Sequence, residues 1–192
     1  MKRTIICLLL VLAISIGAIS FANAYTAVYP YSWNKNSLTC YFNADILSNY
    51  GTQISNYVRI GVMAWNNTDA PSISVGTLGS SDISVDMDNY GYTGWDGYNN
   101  TNYSPSNIIN YSITYLNTCY LSGYLSEYNL WRAIACHETG HALGLNHYIL
   151  APSETEEDSI MKSNTIEYYN VSGTTKIYAP CTPDISAINA KY

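Results

Sequence analysis

All three histidines of this 192-residue chain fall in one stretch, His137-Glu138-Thr139-Gly140-His141-Ala142-Leu143-Gly144-Leu145-Asn146-His147. Imidazole nitrogen is the commonest protein ligand for metals, and the spacing suits a single ion. On a helix, His137 and His141 differ by about 40° in direction and stand about 6 Å apart along the axis. Both then face the same way and can share a metal. Zinc takes about four tetrahedral ligands, and a catalytic site leaves one of them to water. A third protein ligand is therefore wanted, and His147 is the candidate. It would point away from the metal if the helix simply continued. Gly144, lacking a Cβ, can take the left-handed conformation that ends a helix and lets the chain fold back. Glu138 follows the first ligand, so a helix places its carboxylate beside the open face of the metal. There it can take a proton from water acidified by the ion as that water attacks a carbonyl. This is the chemistry of peptide-bond hydrolysis.

These residues match the pattern H-E-x-x-H-x-x-G-x-x-H at all five fixed positions, and in this the chain resembles the metzincin clan of metalloproteases. The clan has a methionine-containing turn, and Ser159-Ile160-Met161 follows His147 at a matching distance. The resemblance implies that Met161 packs beneath the imidazoles as a soft apolar support without ligating the metal. Within the clan the chain is most similar to small secreted matrixins. Ala64-Trp65-Asn66 resembles the end of their amphipathic helix, Asp82-Ile83-Ser84-Val85 their inner strand, and Thr182-Pro183-Asp184-Ile185-Ser186-Ala187-Ile188 their closing helix.

Strands grouped before the helix that bears the histidines imply an α+β domain. By the resemblance, its twisted, mostly parallel sheet would have an edge strand over the cleft and the active-site helix beneath. A small C-terminal subdomain would end in a helix. By the same resemblance, the glycine-rich aromatic run Tyr90 to Trp95 is the sheet edge above the cleft, where an extended peptide could add as a further strand. The pocket for the residue after the scissile bond would lie in Lys162 to Tyr178. Matrixins also carry a propeptide whose cysteine blocks the zinc, and too few residues precede the first strand here to hold one.

Other readings attach to the same residues. A zinc that only holds the fold together is usually enclosed by cysteines, whereas three histidines with an adjacent glutamate describe an open site. A secreted binding protein with a non-catalytic zinc would have no need of Glu138. Four cysteines follow the leader: Cys40, Cys119, Cys136 and Cys181. In a secreted chain they suggest two disulfides with three connectivities; Cys119 with Cys136, leaving Cys40 with Cys181, is favoured by sequence distance. Asp82, Asp86, Asp88 and Asp96 are candidates for a structural calcium, against the simpler account of a solvated acidic face. The run Glu154 to Asp158 could shape the cleft rim or merely be solvated.

Lys2 and Arg3 precede the apolar run Ile5 to Ile19, and Ala22-Asn23-Ala24 has the small-x-small pattern of a signal-peptidase site. Residues 1–24 are read as a signal peptide and 25–192 as one catalytic domain, secreted and without a membrane anchor, since the run is short for a bilayer span. Losing Lys2 and Arg3 takes the net charge from −6 to −8, which argues against nucleic acid as a partner. A protein or peptide substrate and a monomeric state are expected.

The elements needed to position the histidines are legible as patterns. Leu38 to Phe42 reads as a strand, and Ile54, Tyr57, Val58, Gly61, Val62 and Trp65 recur at helical spacing. Ile73 and Val75, then Ile83, Val85 and Met87, then Ile109, Tyr111, Ile113 and Tyr115 alternate as strands do. Ser126 and Glu127 open the helix that carries the first two histidines to Leu143. The 20 tyrosines against 2 phenylalanines suit strand positions where a ring packs and its hydroxyl reaches water.

Overall fold

The computed structural model of the chain describes residues 25–76, 81–150 and 156–192. The expected leader, 1–24, and Glu154 of the acidic run lie outside the described residues. No helix among those described is long and apolar enough to cross a membrane.

A five-stranded sheet forms in the order β3-β2-β4-β6-β5, and alternation of apolar and polar residues marks its strands other than β5. Its strands are β2 (Ser37–Phe42), β3 (Ser72–Gly76), β4 (Ile83–Asp88), β5 (Gly97–Tyr103) and β6 (Ile109–Asn117). The pairings of β2 with β3, β2 with β4 and β4 with β6 are parallel, and β5 runs antiparallel to β6 as the edge. Leu38 and Cys40, Ile73, and Ile83, Val85 and Met87 point inward and are buried. On the opposite face Tyr98 and Tyr115, paired in register, stack with ring centroids 6.1 Å apart.

Two helices cover the inner face. The first, α1 (Ala44–Met63), is broken at Gly51, whose φ of 81° and ψ of 174° are non-helical. Beyond that break Ile54, Val58 and Val62 recur every four residues and are buried, giving one apolar stripe. The second, α2 (Tyr128–Ala142), is buried along most of its length and packs across α1. The crossing is close because Gly61 has no side chain: a Cβ there would stand 2.3 Å from the Arg132 carbonyl oxygen. Trp65, in the 3-10 turn that ends α1, is fully buried and its indole donates to the Cys136 carbonyl at 2.9 Å.

A separate antiparallel ribbon joins β1 (Tyr25–Val28) to β7 (Leu145–Ile149) just past α2. The chain then passes the turn at Ser159–Met161 and the short helical segment α3 (Thr165–Tyr168) to the closing helix α4 (Thr182–Lys191). The architecture is α+β, with a mostly parallel sheet and a C-terminal helix.

Two expectations are corrected. The sheet edge is Gly97–Tyr103, and Tyr90 to Trp95 is the loop leading into it. The four cysteines among the described residues are free thiols. Cys40 lies on the inner face of β2, where burial pushes its thiol up to about 12. Cys136 is buried on α2, and the charged or titratable groups that act on it are Asp184, Arg132 and Cys181, not Cys119. Cys119 follows β6 and Cys181 caps α4, and neither is bonded to Cys136 or Cys40.

Candidate metal centre and its cleft

Helical periodicity sets the first two histidines. His137 and His141 occupy adjacent turns of α2, with ring centroids 4.7 Å apart and their Nε2 atoms 3.1 Å apart. The helix ends at Gly144, whose φ is +86°, and its N–H closes onto the His141 carbonyl at 2.9 Å. A side chain there would be strained and obstructed: a Cβ would stand 2.7 Å from the Tyr31 carbonyl oxygen and 2.6 Å from Lys191 Cε. From this turn the chain enters β7 and returns His147 to the other two, 5.5 Å from His137 and 4.9 Å from His141 between ring centroids.

One nitrogen from each histidine lies within 4.8 Å of the others, an arrangement that could hold a metal ion. The chemistry fits zinc. Nitrogens about 2.0–2.1 Å from a tetrahedral ion are separated by about 3.3 Å, close to the spacing of His137 and His141. The Nδ1 atoms of these two rings sit 2.7 Å from the Ile160 carbonyl and 2.9 Å from the Leu145 carbonyl. A carbonyl accepts only from a protonated nitrogen, so each Nδ1 carries the proton and each Nε2 keeps its lone pair for the metal. Burial lowers the pKa of all three, that of His141 to about 4, which keeps them neutral as ligands must be.

Met161 is fully buried below this helix face. Gly140 makes room for it, since a Cβ there would meet Met161 Sδ at 2.4 Å and Trp65 at 2.9 Å. The turn that carries Met161 is fixed by Asp184. This buried carboxylate accepts from Ser159 Oγ at 2.6 Å, Ile160 N–H at 2.9 Å, Cys181 N–H at 2.9 Å and Thr26 Oγ1 at 2.6 Å.

Glu138 opens onto the same cleft as the histidines, a cavity of about 650 Å³. Its Oε2 is buried without a hydrogen-bond partner. Burial first, and then the charge of Asp96, push the carboxyl well above the usual range; a dication held by the histidines would oppose that shift. β5 crosses directly over it, and Gly97 permits the contact: a Cβ there would stand 2.4 Å from Glu138 Oε1 and 2.7 Å from Ile134.

Three further residues wall this cleft: Tyr168 falls within the segment expected to form the pocket, whereas Tyr29 and Asp96 were not assigned to it from the sequence. Tyr168 is buried with its ring stacked on His137, centroids 5.0 Å apart and 14° from parallel. Tyr29 is pinned by backbone bonds from its N–H to Gly144 and from Lys191 Nζ to its carbonyl, both 2.8 Å. Its ring stacks on Tyr31 at 5.0 Å and stands 6.5 Å from His141. Asp96, grouped by sequence with the calcium candidates, faces Thr165 at the cleft. The other acidic candidates have separate partners: Asp82 pairs with Lys35, Asp86 accepts from Asn43, and Asp88 accepts from the Asn89 N–H. The proposed calcium site therefore does not form among the described residues.

No family model matches the chain, and no curated protein matches its sequence. Solved structures do. The chain is similar to a crystal structure of myroilysin, with 17% identity and a TM-score of 0.50 over 90% of this chain and 93% of that one. A second structure of myroilysin aligns with 20% identity and a TM-score of 0.40 over 64% of this chain, which spans 54% of that one. At such identity the likeness to the first is one of fold.

Proposed function

We propose that the chain is a secreted zinc-dependent endopeptidase of the metzincin type, matrixin-like, with residues 1–24 as signal peptide and 25–192 as a monomeric catalytic domain. One observation carries the reading: three neutral imidazoles converge on one point beside a buried glutamate whose Oε2 has no partner. A zinc that served the fold alone would not account for that carboxylate, and burying it unpaired is unfavourable. The methionine turn beneath the histidine helix supports the same reading.

In this mechanism His137, His141 and His147 hold the ion. When bound, zinc supplies Lewis acidity, acidifying water and polarising the scissile carbonyl. The protein does the rest. Glu138 accepts the proton of the attacking water and passes it to the departing amine nitrogen. β5, an edge strand, offers backbone groups to an extended peptide, which adds to the sheet and is held across Glu138. Carbonyls of Ile160 and Leu145 fix the ring orientation of two ligands.

The test is cleavage of a mixed peptide library by purified residues 25–192. Zinc-loaded protein should cleave, chelation should abolish cleavage, and added zinc should restore it at about one ion per chain. Zinc-loaded protein that binds peptides without cleaving any would favour the binding-protein reading.

A further inference from the structure

Asp96 stands immediately ahead of the edge strand and faces the cleft beside Glu138, between the sheet above and α3 below. One carboxylate oxygen accepts from the Gly97 N–H at 3.0 Å, and the other accepts from Thr165 Oγ1. The Thr165 hydroxyl is in turn 3.0 Å from Tyr168 Oη. These bonds fix the position of the carboxylate, but none brings it a positive charge. The ion pairs among the described residues join Lys35 to Asp82 and Lys162 to Glu156. Asp96 is also outside the group of atoms that converge on the metal point.

A half-buried carboxylate without a counter-ion is stabilised by an incoming cation. We propose, resting on the peptidase reading, that Asp96 makes this pocket selective for lysine or arginine as the residue that follows the scissile bond. The aliphatic stem of such a side chain would lie along Tyr168 and Ile166, which line the same cleft, leaving its charged head for the carboxylate. An arginine fork or a lysine ammonium suits the remaining acceptor capacity of Asp96. The excess negative charge of the chain favours cationic peptides at longer range as well.

The experiment compares zinc-loaded wild type, Asp96→Asn and Asp96→Lys on the peptide library, with zinc content as the check on folding. Asparagine keeps one oxygen for the Gly97 N–H and turns an amide donor toward the Thr165 hydroxyl oxygen, so both contacts can persist while the charge is removed. Wild type should prefer lysine or arginine at the selected position over norleucine by about thirtyfold. Asp96→Asn should erase that preference while still cleaving norleucine peptides, and Asp96→Lys should shift it toward glutamate or aspartate. A preference for apolar residues that Asp96→Asn leaves unchanged overturns the proposal and spares the peptidase reading. An equal loss on all substrates in Asp96→Asn also overturns it, because Asp96 would then act only through Glu138. A wild type that cleaves nothing counts against the peptidase reading. The pocket is then judged by calorimetry with lysine and norleucine peptides: tighter lysine binding that Asp96→Asn removes supports it, and equal binding overturns it.

Discussion

At the scale of single residues, protonation governs the site. The three histidines are held neutral by burial, and their folded pKa values lie below the value of about 6.5 for an exposed imidazole, that of His141 at about 4. Between these limits the unfolded chain binds more protons than the folded one, so acidification favours unfolding. The metal-free protein should lose stability as pH falls from about 6.5 toward about 4. Urea midpoints across that range measure the loss, which should be smaller in His141→Gln; an equal slope in both would sink this account of the histidines. The convergence of these histidines was readable from the sequence because four-residue spacing is a property of the helix itself, and Gly144 announced the turn back. Tyr29, Asp96 and Tyr168 were not readable as one wall, because they reach the cleft from three distant segments by tertiary packing.

At the scale of elements, the decisive contact is the passage of β5 over the active-site helix. Gly97→Ala would drive a methyl into Glu138 and Ile134, displacing the carboxylate while leaving the histidines in place. Since a misplacement of about 1 Å can cost about a hundredfold in rate, kcat should fall by about ten- to a hundredfold with zinc content unchanged. Unaltered kcat would show that Glu138 does not need its present seat. The same strand explains the misplaced sheet edge. Its cleft-side residues Gly97, Asn99 and Thr101 are small or polar, and Asn99 and Thr101 bond to Ser112 on β6. Alternation of apolar residues was therefore absent, whereas β2, β4 and β6 carried it and were found close to their observed bounds. The β1–β7 ribbon escaped for a related reason: its two strands are 4 and 5 residues long and bury no continuous apolar face.

At the scale of the molecule, Asp184 ties together the N-terminal strand, the methionine turn and the closing helix. Asp184→Ala would strand the buried Ile160 N–H, the half-buried Cys181 N–H and two hydroxyls, each lost partner costing about 1–3 kcal/mol. We expect a loss of about 4 kcal/mol in urea denaturation, with weaker zinc binding because the Ile160 carbonyl that orients His137 would be released. A loss under about 1 kcal/mol would mean that the three segments hold without it. No sequence pattern predicts such a junction, since it joins residues more than 150 positions apart. Cysteine partners were illegible for the same reason: counting suggested pairs, but each thiol's neighbours are set by which helix or strand it rides. The α+β class and the run of β2, α1, β3, β4, β6 and α2 were legible because they rest on local periodicity.

The central claim is that Glu138 is the proton carrier of a hydrolytic zinc site. Its most direct test is single-substrate turnover by zinc-loaded residues 25–192 with and without Glu138→Gln. The substitution keeps size and removes basicity, so kcat should drop by about a thousandfold or more, within the range or beyond for a lost general base, while zinc content stays at one per chain. A variant that retains zinc and turns over within about threefold of wild type would contradict the mechanism.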